Sequence, residues 1–275
     1  MTRLRAFLRR ILPGPARRRL REFVLAQAQG PQSPLFTARY EGPDWQYRRR
    51  RVLERLGIDL VLDVGANLGQ YGTDLRAAEY AGRIASVEPS VEQFSRLVER
   101  AASDPGWEVH RMALGAEPGE VTLNVAANHG GASSLLPSRG LEFGTTAQMR
   151  YVGTEVVQME TLEDAGPRMA GDVQRILLKI DVQGLELEVL RGAGDFLSRV
   201  VALELELSLL ALYEGQPEWR AVVDAVEELG FTLFALDPGY SDFDSGRLVE
   251  MDGLFVRHAL AEIGQPARAG ETGVS

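Results

Sequence analysis

Four groups of residues in this sequence combine side-chain types and spacings that could do chemistry. The first is Asp63-Val64-Gly65-Ala66-Asn67-Leu68-Gly69, where an apolar run meets a pair of glycines. Glycine has no Cβ and admits left-handed backbone, so a turn of this kind either brings main-chain N–H groups close to a ligand or simply packs tightly. The second is Glu88, at the end of the next apolar run, where a carboxylate can accept hydrogen bonds from both hydroxyls of a ribose. The third is Lys179 with Asp181, two residues apart and therefore on one face of a strand. Every other basic residue of the chain is arginine, which singles out this lysine. The pair could place a carboxylate beside a reacting group, or could be a structural ion pair. The fourth group contains the candidate general bases Asp181, Glu206 and His129, each able to take a proton near neutral pH in a suitable environment. Asp181 comes first among them.

The same residues exclude several chemistries. A dinucleotide-binding turn reads G-x-G-x-x-G, but Asn67 stands where the second glycine should be, and Gln70 and Tyr71 follow without a third. NAD therefore fits less well, and Asp63, two residues before Gly65, could anchor the turn backbone or receive a ligand ammonium but would repel a pyrophosphate. S-adenosylmethionine has an amino-acid end, a ribose and no phosphate, so it suits the turn better on electrostatic grounds. The chain has no cysteine and only three histidines, His110, His129 and His258, so thiolate nucleophiles, disulfides and histidine-rich metal sites are not expected. A magnesium ion shared by Asp181 and Glu206 stays open, since it would lower the pKa of an acceptor hydroxyl. Glu204 and Glu206 share a strand face where charge needs a partner or a ligand. Glu186 either caps a helix start or contacts substrate. Tyr213, Trp219, Tyr240 and Phe243 either stack on a sugar or pack in the core.

These residues are carried by a regular alternation of strand and helix patterns. Strands are expected at Ile58 to Val64, Arg83 to Glu88, Glu108 to Leu114, Arg175 to Asp181 and Val200 to Glu206. A helix is expected from about Asn67 to Ala81, and a capping box, Ser90 with Gln93, opens the next. Further strands are expected at Gly119 to Ala126, Glu155 to Met159, Phe231 to Leu236 and Gly253 to Val256, with a helix from Pro217 to the stop at Gly230. Strands alternating with helices imply βαβ units, hence a mostly parallel sheet covered by helices on both faces. With 45% hydrophobic and 25% charged residues and no apolar run of membrane-spanning length, the composition is that of a soluble α/β protein.

The net charge of −9 is unevenly spread. The first 51 residues hold thirteen arginines against Glu22, Glu41 and Asp44, and the rest is strongly acidic. An acidic body is not a nucleic-acid surface. The arm, residues 1–43, reads as basic amphipathic helices, with Leu4, Phe7, Leu8, Ile11 and Leu12 on one stripe. It could touch an anionic membrane as a peripheral contact or cap the main domain. Arginines interrupt every apolar window, so no secretory leader is expected and a cytoplasmic location is. The main domain is expected over residues 44–263, and the Gly/Ala/Pro-rich tail, 264–275, reads as disordered.

Taken in order, VLDVGANLGQY, SVEP, RMALG, LLKIDVQGLELEVLRGA and VVALELE resemble the FkbM family of S-adenosylmethionine-dependent methyltransferases, over roughly Val61 to Val256. The resemblance implies a class I methyltransferase (Rossmann-like) fold with a seven-stranded sheet whose last strand is antiparallel. It also implies O-methylation of a sugar, glycolipid, polyketide or similar small-molecule or glycan acceptor. By position, Asp63, Gly65, Asn67 and Gly69 would cradle the methionine part, Glu88 the ribose, and Met112 and Ala113 the adenine. Two departures matter. No aspartate follows Ala113 to bind the adenine amino group, and Gln183 stands where the family often has glutamate. An NAD- or nucleotide-sugar-using Rossmann enzyme and a non-catalytic S-adenosylmethionine-binding protein are the alternatives.

Overall fold

The computed structural model describes residues 45–127, 130–140, 150–242 and 244–261. His129, Phe243, the arm at 1–43 and the tail at 264–275 lie outside the described residues. The chain divides into two compact units, Met1–Arg48 and Arg49–Ser275. Helix α1 (Trp45–Leu56) begins in the first, and every other described element belongs to the second.

In the second unit, β1 (Leu60–Val64) leads to α2 (Gln70–Ala77), β2 (Arg83–Val87), α3 (Val91–Ala101) and β3 (Trp107–His110). Then come three strands of a side sheet, β4 (Ala113–Leu114), β5 (Gly119–Ala126) and β6 (Tyr151–Glu160). The chain returns through α4 (Leu162–Ala170), β7 (Ile176–Ile180), α5 (Glu186–Arg191) and β8 (Val200–Ser208). It ends with α6 (Trp219–Glu228), β9 (Phe231–Pro238) and β10 (Glu250–Arg257).

The main sheet has seven strands in the order β3-β2-β1-β7-β8-β10-β9, and the side sheet has the order β4-β6-β5. Strands β3, β2, β1, β7 and β8 are parallel, while β10 runs antiparallel to both neighbours. This is the class I methyltransferase sheet. The chain leaves β1 toward β2 on one side and later returns to β7 on the other. The carboxyl ends of β1 and β7 therefore flank a topological switch point, where open α/β sheets leave a crevice.

Strands β1, β7 and β8 read as near-continuous apolar runs because helices cover both of their faces. On one face Leu62, Leu178, Leu203 and Phe255 pack with Leu162 and Met169 of α4 and Val222 and Val226 of α6, in one continuous core. The opposite face is different. There Asp63, Lys179 and Glu204 lie in register across β1, β7 and β8, and Glu206 stands opposite Asp252 of β10.

Several expected boundaries move for identifiable reasons. The single strand expected from Glu108 to Leu114 is two strands in two sheets. Its ladder to β2 ends where β2 ends, at Val87 opposite His110, and Ala113 and Leu114 pair with β6 instead. The helix expected from Asn67 begins at Gln70, because Asn67 (φ 47°) and Gly69 (φ 80°) hold left-handed backbone. The capping box is not made. Ser90 Oγ bonds the Gln93 side chain and Glu155 of β6 rather than a helix N–H, and Glu155 Oε2 accepts from Val91 N at 2.9 Å. Helices α1 and α4 were not expected from the sequence.

Candidate active site

The turn after β1 is built around Glu88. Gly65 N and Ala66 N both donate to Val87 O at 3.0 Å, which ties the turn to the end of β2. Asn67 N then donates to Glu88 Oε2 at 2.8 Å, and Ser90 N donates to Oε1 at 2.9 Å. Each carboxylate oxygen thus has one main-chain donor and keeps a free acceptor position. Burial pushes the Glu88 carboxyl up to about 7, against the two N–H bonds that lower it. Beside it Asn67 Oδ1 is buried without a hydrogen-bond partner. Gly65 (φ 79°) is obligatory, since a Cβ there would stand 1.8 Å from the carbonyl oxygen of Asp181. The two strand ends therefore approach backbone to backbone.

Beneath the turn lies a buried polar ladder. Lys179 Nζ is 3.3 Å from Asp63 Oδ1 and 3.4 Å from Asp181 Oδ2, and it donates to Gly65 O at 3.3 Å. Burial acts to lower the Lys179 pKa, but the carboxylates of Asp181 and Asp63 outweigh it and the ammonium is held above its ordinary value. Asp63 is wholly buried and accepts from Ser86 Oγ at 3.0 Å, which in turn accepts from Trp107 Nε1 at 3.0 Å. Lys179 also sits 5.4 Å from the centre of the Tyr71 ring. The Tyr71 hydroxyl donates to Glu204 Oε2 at 2.8 Å, and Arg49 donates to both Glu204 oxygens, at 2.8 and 2.5 Å. Glu204 is thus paired, and the cation that pairs it lies in α1.

At the top of β7, Gln183 joins the candidate bases. Its Nε2 donates to Asp181 Oδ1 at 2.8 Å and to Glu206 Oε2 at 2.7 Å, while its Oε1 accepts from the Tyr213 hydroxyl at 2.6 Å. Burial, then the neighbouring charges of Asp181, Glu250 and Glu186, raises the Glu206 carboxyl well above the usual range. Burial first, with nearby carboxylates, also raises Glu250 to about 8 and Asp252 to about 7. Glu186 neither caps α5 from the N-cap position nor reaches out. It is the first helical residue, buried, and its Oε1 accepts from Gly184 N at 3.0 Å and Val182 N at 3.3 Å, closing the loop behind Gln183.

An open cavity of about 690 Å³, counted with its solvent-filled mouth, runs along this crevice. Gly65, Asn67, Glu88, Met112, Ala113, Asp181 and Gln183 are among the residues that line it. Five of the seven expected donor-binding residues therefore meet at one cavity. The other two stand elsewhere. Asp63 is turned down onto Lys179, with no exposure. Gly69 caps α2, where a Cβ would press on Leu97 and Trp107, so its reason is helix packing. Among the candidate bases, Asp181 faces the cavity and Glu206 is held behind it through Gln183. His129 lies outside the described residues. Tyr213 is a buried hydrogen-bond donor rather than a stacking platform, and Tyr240 and Trp219 pack against apolar clusters. Sequence reasoning missed Arg49 and Tyr71. Nothing local marks either, although the need of Glu204 for a partner or a ligand was visible.

The family model described as "Methyltransferase FkbM domain" matches residues 63–233. Methyltransferase sdnD of Sordaria araneosa is 28% identical over 159 residues, which cover 49% of this chain and 60% of that protein. The chain thus spans less than two thirds of that relative's length. Hexuronic acid methyltransferase AglP of Haloferax volcanii is 25% identical over 213 residues, covering 69% of this chain and 80% of that one. Among solved structures, Aeropyrum pernix fibrillarin with natively bound S-adenosyl-L-methionine superposes with a TM-score of 0.41 at 10% identity, over 72% of this chain and 66% of that one.

Proposed function

The chain belongs to the FkbM methyltransferase family, and from that premise we propose that it is an S-adenosylmethionine-dependent O-methyltransferase. Its acceptor in this reading is a hydroxyl of a sugar, glycolipid, polyketide or similar small molecule. The observation that carries the reading is the Glu88–Asn67 pair at the cavity wall. A buried carboxylate with one acceptor position left on each oxygen suits the two hydroxyls of a ribose, and the unpartnered Asn67 Oδ1 suits a further donor of the same ligand. These residues fit S-adenosylmethionine. Gly65, Asn67 and Glu88 would hold it, with Met112 and Ala113 against the adenine. The sugar acceptor draws support from AglP, a hexuronic acid methyltransferase at 25% identity.

When bound, S-adenosylmethionine supplies an electrophilic methyl group that an oxygen can take by in-line displacement. The chain's own contribution is position and a proton sink. Asp181, which lines the same cavity as Glu88, accepts the acceptor hydroxyl's proton at its carboxylate, and Lys179 stays beside it to balance the charge. Val64, Val87, Met112 and Leu185 line the cavity with apolar surface and limit water there.

Calorimetry with S-adenosylhomocysteine and NAD tests the donor, and transfer of a radiolabelled methyl to a panel of hydroxyl acceptors tests the reaction. Binding of the first ligand and not the second, with label appearing as a base-stable ether, is the expected result. Preference for NAD would overturn the reading, and so would donor binding with no transfer to any acceptor in a total cell extract.

A further inference from the structure

We infer that Gln183 is the positioning residue of this site, spanning Asp181 and Glu206 with one amide NH₂ group and so fixing where the Asp181 carboxylate points. The inference rests on the reading of Asp181 as proton acceptor given above. An amide NH₂ carries two hydrogens, and here each finds a different carboxylate, at 2.8 and 2.7 Å. The amide cannot be turned over. The Tyr213 hydroxyl, which donates to Oε1 at 2.6 Å, fixes the oxygen side, and a flipped amide would set its oxygen against two acids.

The backbone is held just as firmly. Gln183 has a left-handed φ of 57°, a conformation that a non-glycine residue adopts at a cost, and Ser134 Oγ donates to its carbonyl oxygen at 2.7 Å. Glu186 closes the loop from the other side by accepting from Val182 N and Gly184 N. Strain and three well-directed side-chain bonds at a cavity wall are the pattern of a preorganised site.

The surroundings explain why a neutral donor is needed here. Lys179 and Asp63 act on Asp181 from β7 and β1. Glu206 faces it from β8, Glu250 and Asp252 from β10, and Glu186 from α5, with Tyr213 beyond. The acids outnumber the one ammonium. A glutamate at position 183 would add another acceptor between two carboxylates, and the group of three could persist only by sharing protons or by taking up a cation. Glutamine supplies the two hydrogens permanently.

Two variants test this in the full chain. Gln183→Glu keeps the shape and removes the donors, and Gln183→Met removes both donor and acceptor. Each is expected to lower kcat by about 100-fold while leaving the KM for S-adenosylmethionine nearly unchanged. In Gln183→Glu the acid limb of the kcat profile should move to higher pH by about one unit or more, since one further proton must leave before the base is free. A second measurement needs no turnover. Carbon-13 NMR titration of Asp and Glu side-chain carboxyls should show at least one step moved upward by about one pH unit or more in Gln183→Glu relative to the parent. Loss of activity with an unmoved pH profile and an unmoved carboxyl titration would mean a merely structural role and overturn the inference. If the parent transfers no methyl group at all, the functional reading fails, and the NMR titration alone decides the role of Gln183.

Discussion

Donor affinity should depend on pH through Glu88. In the free protein burial pushes this carboxyl up to about 7, whereas two ribose hydroxyls can donate fully only to the ionised form. Binding must therefore expel the proton whenever the pH is below that value. For a single group with a free-state pKa of about 7, the apparent Kd is about 1.1 times its high-pH limit at pH 8 and about 11 times at pH 6. Affinity for S-adenosylhomocysteine should thus fall about tenfold between pH 8 and pH 6, or about 1.4 kcal/mol. Calorimetry in buffers of different ionisation enthalpy would detect the same proton as a buffer-dependent heat. The stability of the free protein carries the matching signature. A carboxyl whose folded pKa is raised contributes stability below its unfolded value of 4.5, and that contribution is lost as the pH climbs to about 7, by roughly 3 kcal/mol. Saturating ligand should remove most of this loss. Glu88→Gln should bind more weakly and abolish the pH slope. A parent protein with flat affinity from pH 6 to 8, or a Glu88→Gln variant with the parental slope, would refute the reasoning.

Four further outcomes follow from the geometry. Lys179→Met strips the ammonium from a fully buried Asp63 and should cost about 3–5 kcal/mol in chemical denaturation; a cost under about 1 kcal/mol would show that Asp63 is satisfied by Ser86 alone. Gly65→Ala places a Cβ 1.8 Å from Asp181 O and demands a left-handed alanine, so it should lose at least ~2 kcal/mol and all measurable S-adenosylhomocysteine binding by calorimetry. Asp181→Asn should keep that binding and lose turnover by about 100-fold or more, and normal turnover would remove Asp181 as the base. Turnover should survive exhaustive chelation, because Gln183 Nε2 already lies between the Asp181 and Glu206 oxygens that a shared cation would need.

How much of this could be read in the chain divides along a physical line. Apolar periodicity and glycine placement are local, so β1, β2, β7 and β8, the turn at Gly65 and the position of Glu88 were all legible, and the ordered motifs carried the fold. The split of the third strand was not, because what ends β3 is the length of β2 beside it. The Ser90–Gln93 spacing was a correct local signal overridden by Glu155, which reaches the helix start from 65 residues away. Asp63 shows the same limit at the site itself. Its position beside the turn was right, but only the register of β1 against β7 reveals that it meets Lys179. Long-range pairing of charges leaves no period in a sequence, so Arg49 and Tyr71 were invisible while the need they meet at Glu204 was not.

That ladder bears on why the site keeps buried charge at all. Apolar residues of similar volume would pack between β1, β7 and β8 at no loss of stability, since desolvation takes back most of what a buried ion pair gains. They could not do what Lys179 does. A single ammonium reaches the Gly65 carbonyl, the Asp63 side chain and the Asp181 side chain, which belong to the two strand ends that form the crevice. The turn that would hold the donor and the carboxylate that would take the proton are thereby fixed to one another by a rigid group 12% exposed to solvent. Gln183 repeats the device one layer higher, linking Asp181 to Glu206 and Tyr213. Displacement at carbon tolerates little misalignment, so if Asp181 is the base, its tethering from below by charge and from the side by an amide would serve the alignment and offset both costs.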